Sequence, residues 1–99
     1  MTKRFRFDAE VWEYEGPAAW FFVSLPHDVA DEIDEAYQGR TNGFGSIRVE
    51  VKVGSSKWLT SIFPDRKRAT FVLPVKKEVR RAEGLEAGTV AKVDLRTLD

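Results

Sequence analysis

Cysteine is absent from the 99 residues, and histidine and methionine occur once each. Without cysteine there is no disulfide, no thiolate nucleophile and no Cys-containing metal site. One histidine, His27, argues against a Ser-His-Asp triad and against a His-rich metal centre. Long apolar runs are missing too: the longest, Ala18 to Val23, is far too short to cross a bilayer, so no membrane partner is expected. Met1-Thr2-Lys3-Arg4 leads into an alternating segment rather than an apolar stretch, so no signal peptide is expected. A reducing, cytoplasmic setting fits these features. Net charge is zero, which gives no support to a general nucleic-acid role.

What is present suits one globular domain spanning 1–99, with 42% apolar residues and 12% aromatics. The zero charge hides an uneven distribution. Residues 1–47 hold four Lys/Arg against nine Asp/Glu, and residues 48–99 hold twelve against seven. Such a separation would give an acidic end and a basic end, with a field that could steer partners.

One phrase occurs twice. Trp20-Phe21-Phe22-Val23-Ser24-Leu25-Pro26 runs into an acidic segment with helical spacing, and Ala69-Thr70-Phe71-Val72-Leu73-Pro74 runs into a basic one. Proline suits the first turn of a helix, where its missing N–H would be unpaired anyway. Val29, Ile33, Ala36 and Tyr37 form the expected buried stripe of the first helix; Val75, Val79 and Ala82 form that of the second. Gly39 ends the first helix, and Gly84 suits a C-terminal cap on the second. Thr41-Asn42-Gly43-Phe44-Gly45 reads as a connector, since a phosphate-cradling loop would open a helix rather than a strand.

Phe5, Phe7, Ala9 and Val11 alternate with polar residues, as do Ile47, Val49, Val51 and Val53, the period-2 mark of half-buried strands. Ala18–Ser24, 57–63, 69–73 and the segment after Gly88 complete a set of six. The order is β-β-α-β used twice, with repeat one at about 4–53 and repeat two at about 56–96. Short, evenly punctuated strands favour a closed or pseudo-closed barrel, because closure removes edges. The fold class is mainly β: a six-stranded pseudo-barrel with two capping or flanking helices.

Residues 74–90, from Pro74-Val75-Lys76-Lys77 through Gly84-Leu85-Glu86-Ala87-Gly88-Thr89-Val90, resemble the signature of swapped-hairpin AbrB-type domains. More closely, the chain resembles a small bacterial family catalogued as a domain of unknown function. That domain sometimes lies beside an OmpD-associated, bacteriocin-protection-like domain. The residues that match are Phe22–Pro26, Trp58–Pro64, Leu73–Lys77, Arg80 and Gly84–Val90. This resemblance implies a double-split β-barrel with two intertwined repeats in one chain. AbrB-type proteins build a related barrel from two chains and commonly bind DNA, whereas the small bacterial family implies no established activity.

The cations Arg66, Lys67, Arg68, Lys76, Lys77, Arg80 and Arg81 are the strongest lead. If the turn and the second helix lie together they could contact phosphates, with Trp58 as a stacking face. A solvated helix face and a charged turn is the plainer account. Pairing with the acidic helix of another copy (Asp28, Asp31, Glu32, Asp34, Glu35) is a third. Asp28, Asp31, Glu32 and Glu35 could hold a hard cation, but their spacing matches no dedicated loop. His27, at the start of the acidic helix, reads as a surface or capping residue. Trp12, Trp20 and Trp58 read as core or barrel-rim residues. No cofactor is implied. The leading expectation is a non-enzymatic binding or interaction module. Nucleic acid or another phosphate ligand is the second, and an enzyme or small-molecule receptor with a pocket near Trp58 and Ser61 the third.

Overall fold

The computed structural model describes residues 2–38 and 45–98; the expected helix end at Gly39 and most of the Thr41–Gly45 connector lie outside them. The chain runs β1 (Arg4–Tyr14), β2 (Trp20–Ser24), α1 (His27–Ala36), β3 (Ile47–Val53), β4 (Ser56–Asp65), β5 (Thr70–Pro74), α2 (Lys77–Glu83) and β6 (Val90–Thr97). The six strands close into a barrel in the order β1-β2-β5-β4-β3-β6, with β6 returning to β1 and every pairing antiparallel. Closure satisfies the backbone of every strand without leaving an edge.

Alternation decides what enters the barrel. β3 buries Ile47, Val49, Val51 and Val53, and β6 buries Ala91, Val93, Leu95 and Thr97. Val11, Val23, Trp58, Ile62 and Leu73 complete the interior from the other strands. Each fully buried aliphatic side chain contributes roughly 1.5–3 kcal/mol relative to exposure. Tyr37, at the C-terminal end of α1, donates its hydroxyl to Thr97 Oγ1 at 2.9 Å, which ties that helix to the end of β6.

Exchanging β1 with β4, β2 with β5 and β3 with β6 leaves the strand order unchanged. The registers obey the same exchange. Ser24 pairs with Val72 and Val51 with Leu95, so at these two places equivalent positions face each other. Around them, Phe5–Leu95 corresponds to Trp58–Val51, and Trp12–Phe22 to Asp65–Thr70. The helices consequently leave from opposite ends of the barrel: α1 follows Ser24 beside the β4–β5 turn, and α2 follows Pro74 beside the start of β4.

Two expectations about the helices need correction. Ala30 is buried in α1 and Val29 only half-buried, because the helix turns Ala30 and Ile33 toward the barrel. Ala82 is exposed. α2 is short, and its inward stripe passes from Val75 and Val79 to Leu85, beyond the helix. Gly84 does cap α2, at φ +65°, a conformation that glycine adopts without penalty.

The outer face of β1, β6, β3 and β4 is a lattice of ions. Arg4 grips Asp94 with Nε to Oδ1 at 2.9 Å and Nη2 to Oδ2 at 2.6 Å, and Arg96 reaches Glu50 at 2.8 Å. Arg4's hydrogen bonds lower the Asp94 carboxyl to about 2; burial opposes the shift, and the charges of Arg4 and Arg6 add to it. A carboxyl depressed on folding stabilises the native state above its unfolded value of about 3.9 and loses that contribution as pH falls toward the folded one. Asp94→Asn is therefore expected to flatten the stability profile between about pH 4 and 2. Because its partners are exposed, the amplitude should stay below about 1 kcal/mol. Urea melts across that pH range check this; an unchanged profile would mean that the pair is silent.

Candidate functional site

At the α2 end, the barrel leaves a cleft of about 670 Å³ between β2, the start of β4 and the entry to α2. Trp20 and Phe21 come from β2, Trp58, Leu59 and Thr60 from β4, and Val75, Lys76, Lys77 and Arg80 from the helix and its approach. Alternation puts Phe21, Trp58 and Thr60 on the barrel side, where they make the floor. Trp58 is 8% exposed, while Trp20, on the outer face, is 53% exposed at the rim.

Arg80 spans the floor and the rim. Its guanidinium lies 3.8 Å from the centre of the Phe21 ring, and its Nε donates to the Val75 carbonyl at 3.1 Å. Cation–aromatic stacking and a backbone anchor fix the planar group while leaving other N–H donors available. Lys76 and Lys77 are exposed, and no ion pair engages them among the described residues. Glu83, the carboxylate at the far end of α2, accepts the hydroxyls of Ser55 at 3.4 Å and Ser56 at 2.6 Å. Glu78 adjoins Lys77 in the first turn of α2 and Glu13 pairs with Phe21 across the strands, yet neither forms an ion pair with these cations among the described residues.

The opposite end differs in chemistry at equivalent positions. The exchange that carries Ser24 onto Val72 puts Ala69 where Phe21 stands, Asp28 where Lys76 stands and Glu32 where Arg80 stands. One end combines aromatic rings with cations. The other sets the acids of α1 beside the Arg66–Arg68 turn, where Arg68 is paired with Asp65 and covers Trp12.

Over residues 7–95 the chain matches the family model of a domain of unknown function, DUF1905. The chain belongs to this family. No curated protein matches it. The family carries no assigned activity, so the chemistry of the cleft must be read from this member's own residues.

Of the residues singled out from sequence, the cleft gathers Trp58, Lys76, Lys77 and Arg80. Ser61 is not among them. It stands three residues from Trp58 on β4, hence on the opposite face of the sheet, paired with Arg48; Thr60 takes the place expected for it. Arg66 lies in the β4–β5 turn at the other end of the barrel, so the basic turn and the basic helix do not lie together. Arg81 is exposed on α2 outside the cleft. In the turn, Arg68 pairs with Asp65 at 2.8 Å and lies 4.0 Å from the centre of the Trp12 ring. Burial pushes the Asp65 carboxyl up, but Arg68's hydrogen bonds and charge outweigh it and hold the group below its ordinary value.

His27 is exposed and donates from Nε2 to the Arg68 carbonyl at 3.0 Å, a structural bond between α1 and the turn. Among the described residues no cluster of three or more His, Asp or Glu is placed to hold a metal ion, the acids of α1 included. No helix among them is long and apolar enough to cross a membrane. Phe21 and Trp20 were invisible as site residues in the sequence because β2 is apolar on both faces; only the pairing partners distinguish floor from rim.

Proposed function

We propose that the chain is a binding module without catalytic chemistry, whose ligand is an anion, phosphate-bearing in the simplest case, attached to a planar or apolar group. One observation carries this reading: Lys76, Lys77 and Arg80, free of carboxylate partners among the described residues, stand over a cleft floored by Phe21 and Trp58. The anion meets the cations and the planar group lies against the Arg80 guanidinium that covers Phe21, beside the rim ring of Trp20, an arrangement that binds without a reacting group. The hydroxyls support this view: Ser55 and Ser56 are engaged by Glu83, no base is hydrogen-bonded to Thr60 in the cleft among the described residues, and the one histidine lies at the opposite end. We also read the exchange symmetry as the product of a tandem β-β-α-β duplication on an AbrB-like double-split frame. The paired Leu-Pro phrases support that origin, and so does the exchange-consistent register. A cysteine-free chain of this kind suits the cytoplasm.

Tryptophan fluorescence during titration with phenyl phosphate, and separately with phenol, tests the cleft. Saturable quenching by phenyl phosphate is expected, weakened roughly tenfold in Lys76→Ala/Lys77→Ala, as the loss of charge-assisted contacts implies. An equal response to phenol, or unchanged affinity in the double variant, would overturn the reading.

A further inference from the structure

Aromatic character does not stop at the cleft mouth. On the outer face of β1, β2, β5 and β4, Tyr14, Trp20, Phe22, Phe63, Val72 and Pro74 line an apolar depression of about 310 Å³. Trp20 and Pro74 border both this depression and the cleft, so the two surfaces are continuous. Trp20 is 53% exposed, Tyr14 51% and Phe63 42%. Clustered exposed rings of this kind on a small domain mark an interaction surface.

The rings are ordered as platforms. Trp20 stacks on Phe22 with centroids 6.1 Å apart and planes 11° from parallel, and Trp12 backs Phe22 at 5.1 Å. Trp20 thus packs against Phe22 and still keeps 53% of its surface exposed. Tyr14 is its cross-strand partner, so the two exposed rings stand side by side. Charge is distributed unevenly around them. Lys76 and Lys77 come two and three residues after Pro74 at one border, whereas Glu15 and Glu13, the latter opposite Phe21, flank Tyr14. An anionic backbone crossing this face is therefore drawn toward the α2 side.

We infer that this face and the cleft together form a track for single-stranded nucleic acid, with bases stacked on Trp20 and Tyr14 and phosphates on Lys76 and Lys77. The inference rests on the anion-binding reading of the cleft and extends it to a partner class. Unpaired bases offer the flat faces that exposed rings need, and every base does so regardless of sequence. A duplex keeps those faces inside its stack and presents phosphates, sugars and groove edges, which leaves the rings without a flat partner. An acidic peptide satisfies the lysines but supplies no regular succession of planar groups.

Fluorescence anisotropy with a labelled single strand of about 12 nucleotides and mixed sequence, its duplex counterpart, and phenyl phosphate as competitor tests the track. The single strand is expected to bind more tightly than the duplex. Trp20→Ala should weaken it about 5- to 100-fold, the range set by losing one stacked base, with Trp20→Phe restoring most of the loss. In Lys76→Ala/Lys77→Ala the slope of log affinity against log salt should flatten by about 1.4. Tyr14→Ala should weaken the strand yet leave phenyl phosphate unaffected. Melting curves establish that each variant is folded, which the exposure of both rings favours. If the strand binds no better than phenyl phosphate and ignores Tyr14→Ala, the track is wrong while the cleft reading stands. If neither ligand binds, both readings fall. Equal binding of duplex overturns the track, and so does a dimer in sedimentation that Trp20→Ala dissolves, which would assign the face to a second copy.

Discussion

Leu95→Ala is expected to destabilise the protein by about 2–5 kcal/mol, the cost of removing a large aliphatic side chain from a filled interior. Leu95 is fully buried, pairs with Val51 on one side and Phe5 on the other, and sits at one of the two places where equivalent positions meet. A cavity there is felt by both halves, and no exposed neighbour can move in to fill it. For a domain of 99 residues, total stability is of the order of 5–15 kcal/mol, so the loss is a large fraction of the whole. The melting temperature should fall by roughly 10–30 °C. Leu59→Ala, at a position 59% exposed, is the control and should stay within about 0.5 kcal/mol of the parent. Urea unfolding of the two variants checks the pair; equal destabilisation would contradict the assignment of Leu95 to the barrel interior.

The second large effect is expected at Arg80, and on binding rather than folding. Arg80→Ala removes the guanidinium that lies on Phe21 and the bond to the Val75 carbonyl. Phenyl phosphate affinity should drop by about 1.5–3 kcal/mol, roughly 10- to 100-fold, as expected for lost charged hydrogen bonds. Arg80→Lys keeps the charge but loses the planar stack and the anchored fork, so it should recover only part of this. Full recovery by lysine would mean that position and stacking are irrelevant and that net charge alone draws the ligand. The stability cost of either variant should stay near 1 kcal/mol, the worth of one partly exposed stack and one hydrogen bond.

Local periodicity carried much of the fold. Ile47, Val49, Val51 and Val53 alternate in the sequence and all enter the barrel, and the two Leu-Pro phrases stand at the entries to both helices. What periodicity cannot hold is partnership across the chain. That β2 pairs with β5 and β3 with β6 depends on contacts between distant segments, and nothing local to Val23 names Leu73 as its neighbour. The site was legible by the same measure. Lys76, Lys77 and Arg80 share a helix and its approach, so their grouping follows from spacing, and they do converge. Arg66 and Ser61 were grouped with them by charge or proximity in sequence, but antiparallel connectivity sends one to the far end and pleating turns the other to the wrong face. Trp20 and Phe22 showed the reverse. A strand apolar on both sides reads as central and covered, and here its outer side is left as a ring surface.

The two ends of the barrel share one frame and differ in surface chemistry, and the proposed ligand sits at only one of them. The most direct measurement is an amide NMR titration of the protein with phenyl phosphate. Saturable shifts should be confined to the stretches around Trp20–Phe21, Trp58–Thr60 and Val75–Arg80, with the equivalent residues around His27–Glu32 and Arg68–Thr70 unmoved. Shifts centred on the α1 end, or spread over the ion lattice of Arg4, Asp94, Glu50 and Arg96, would contradict it.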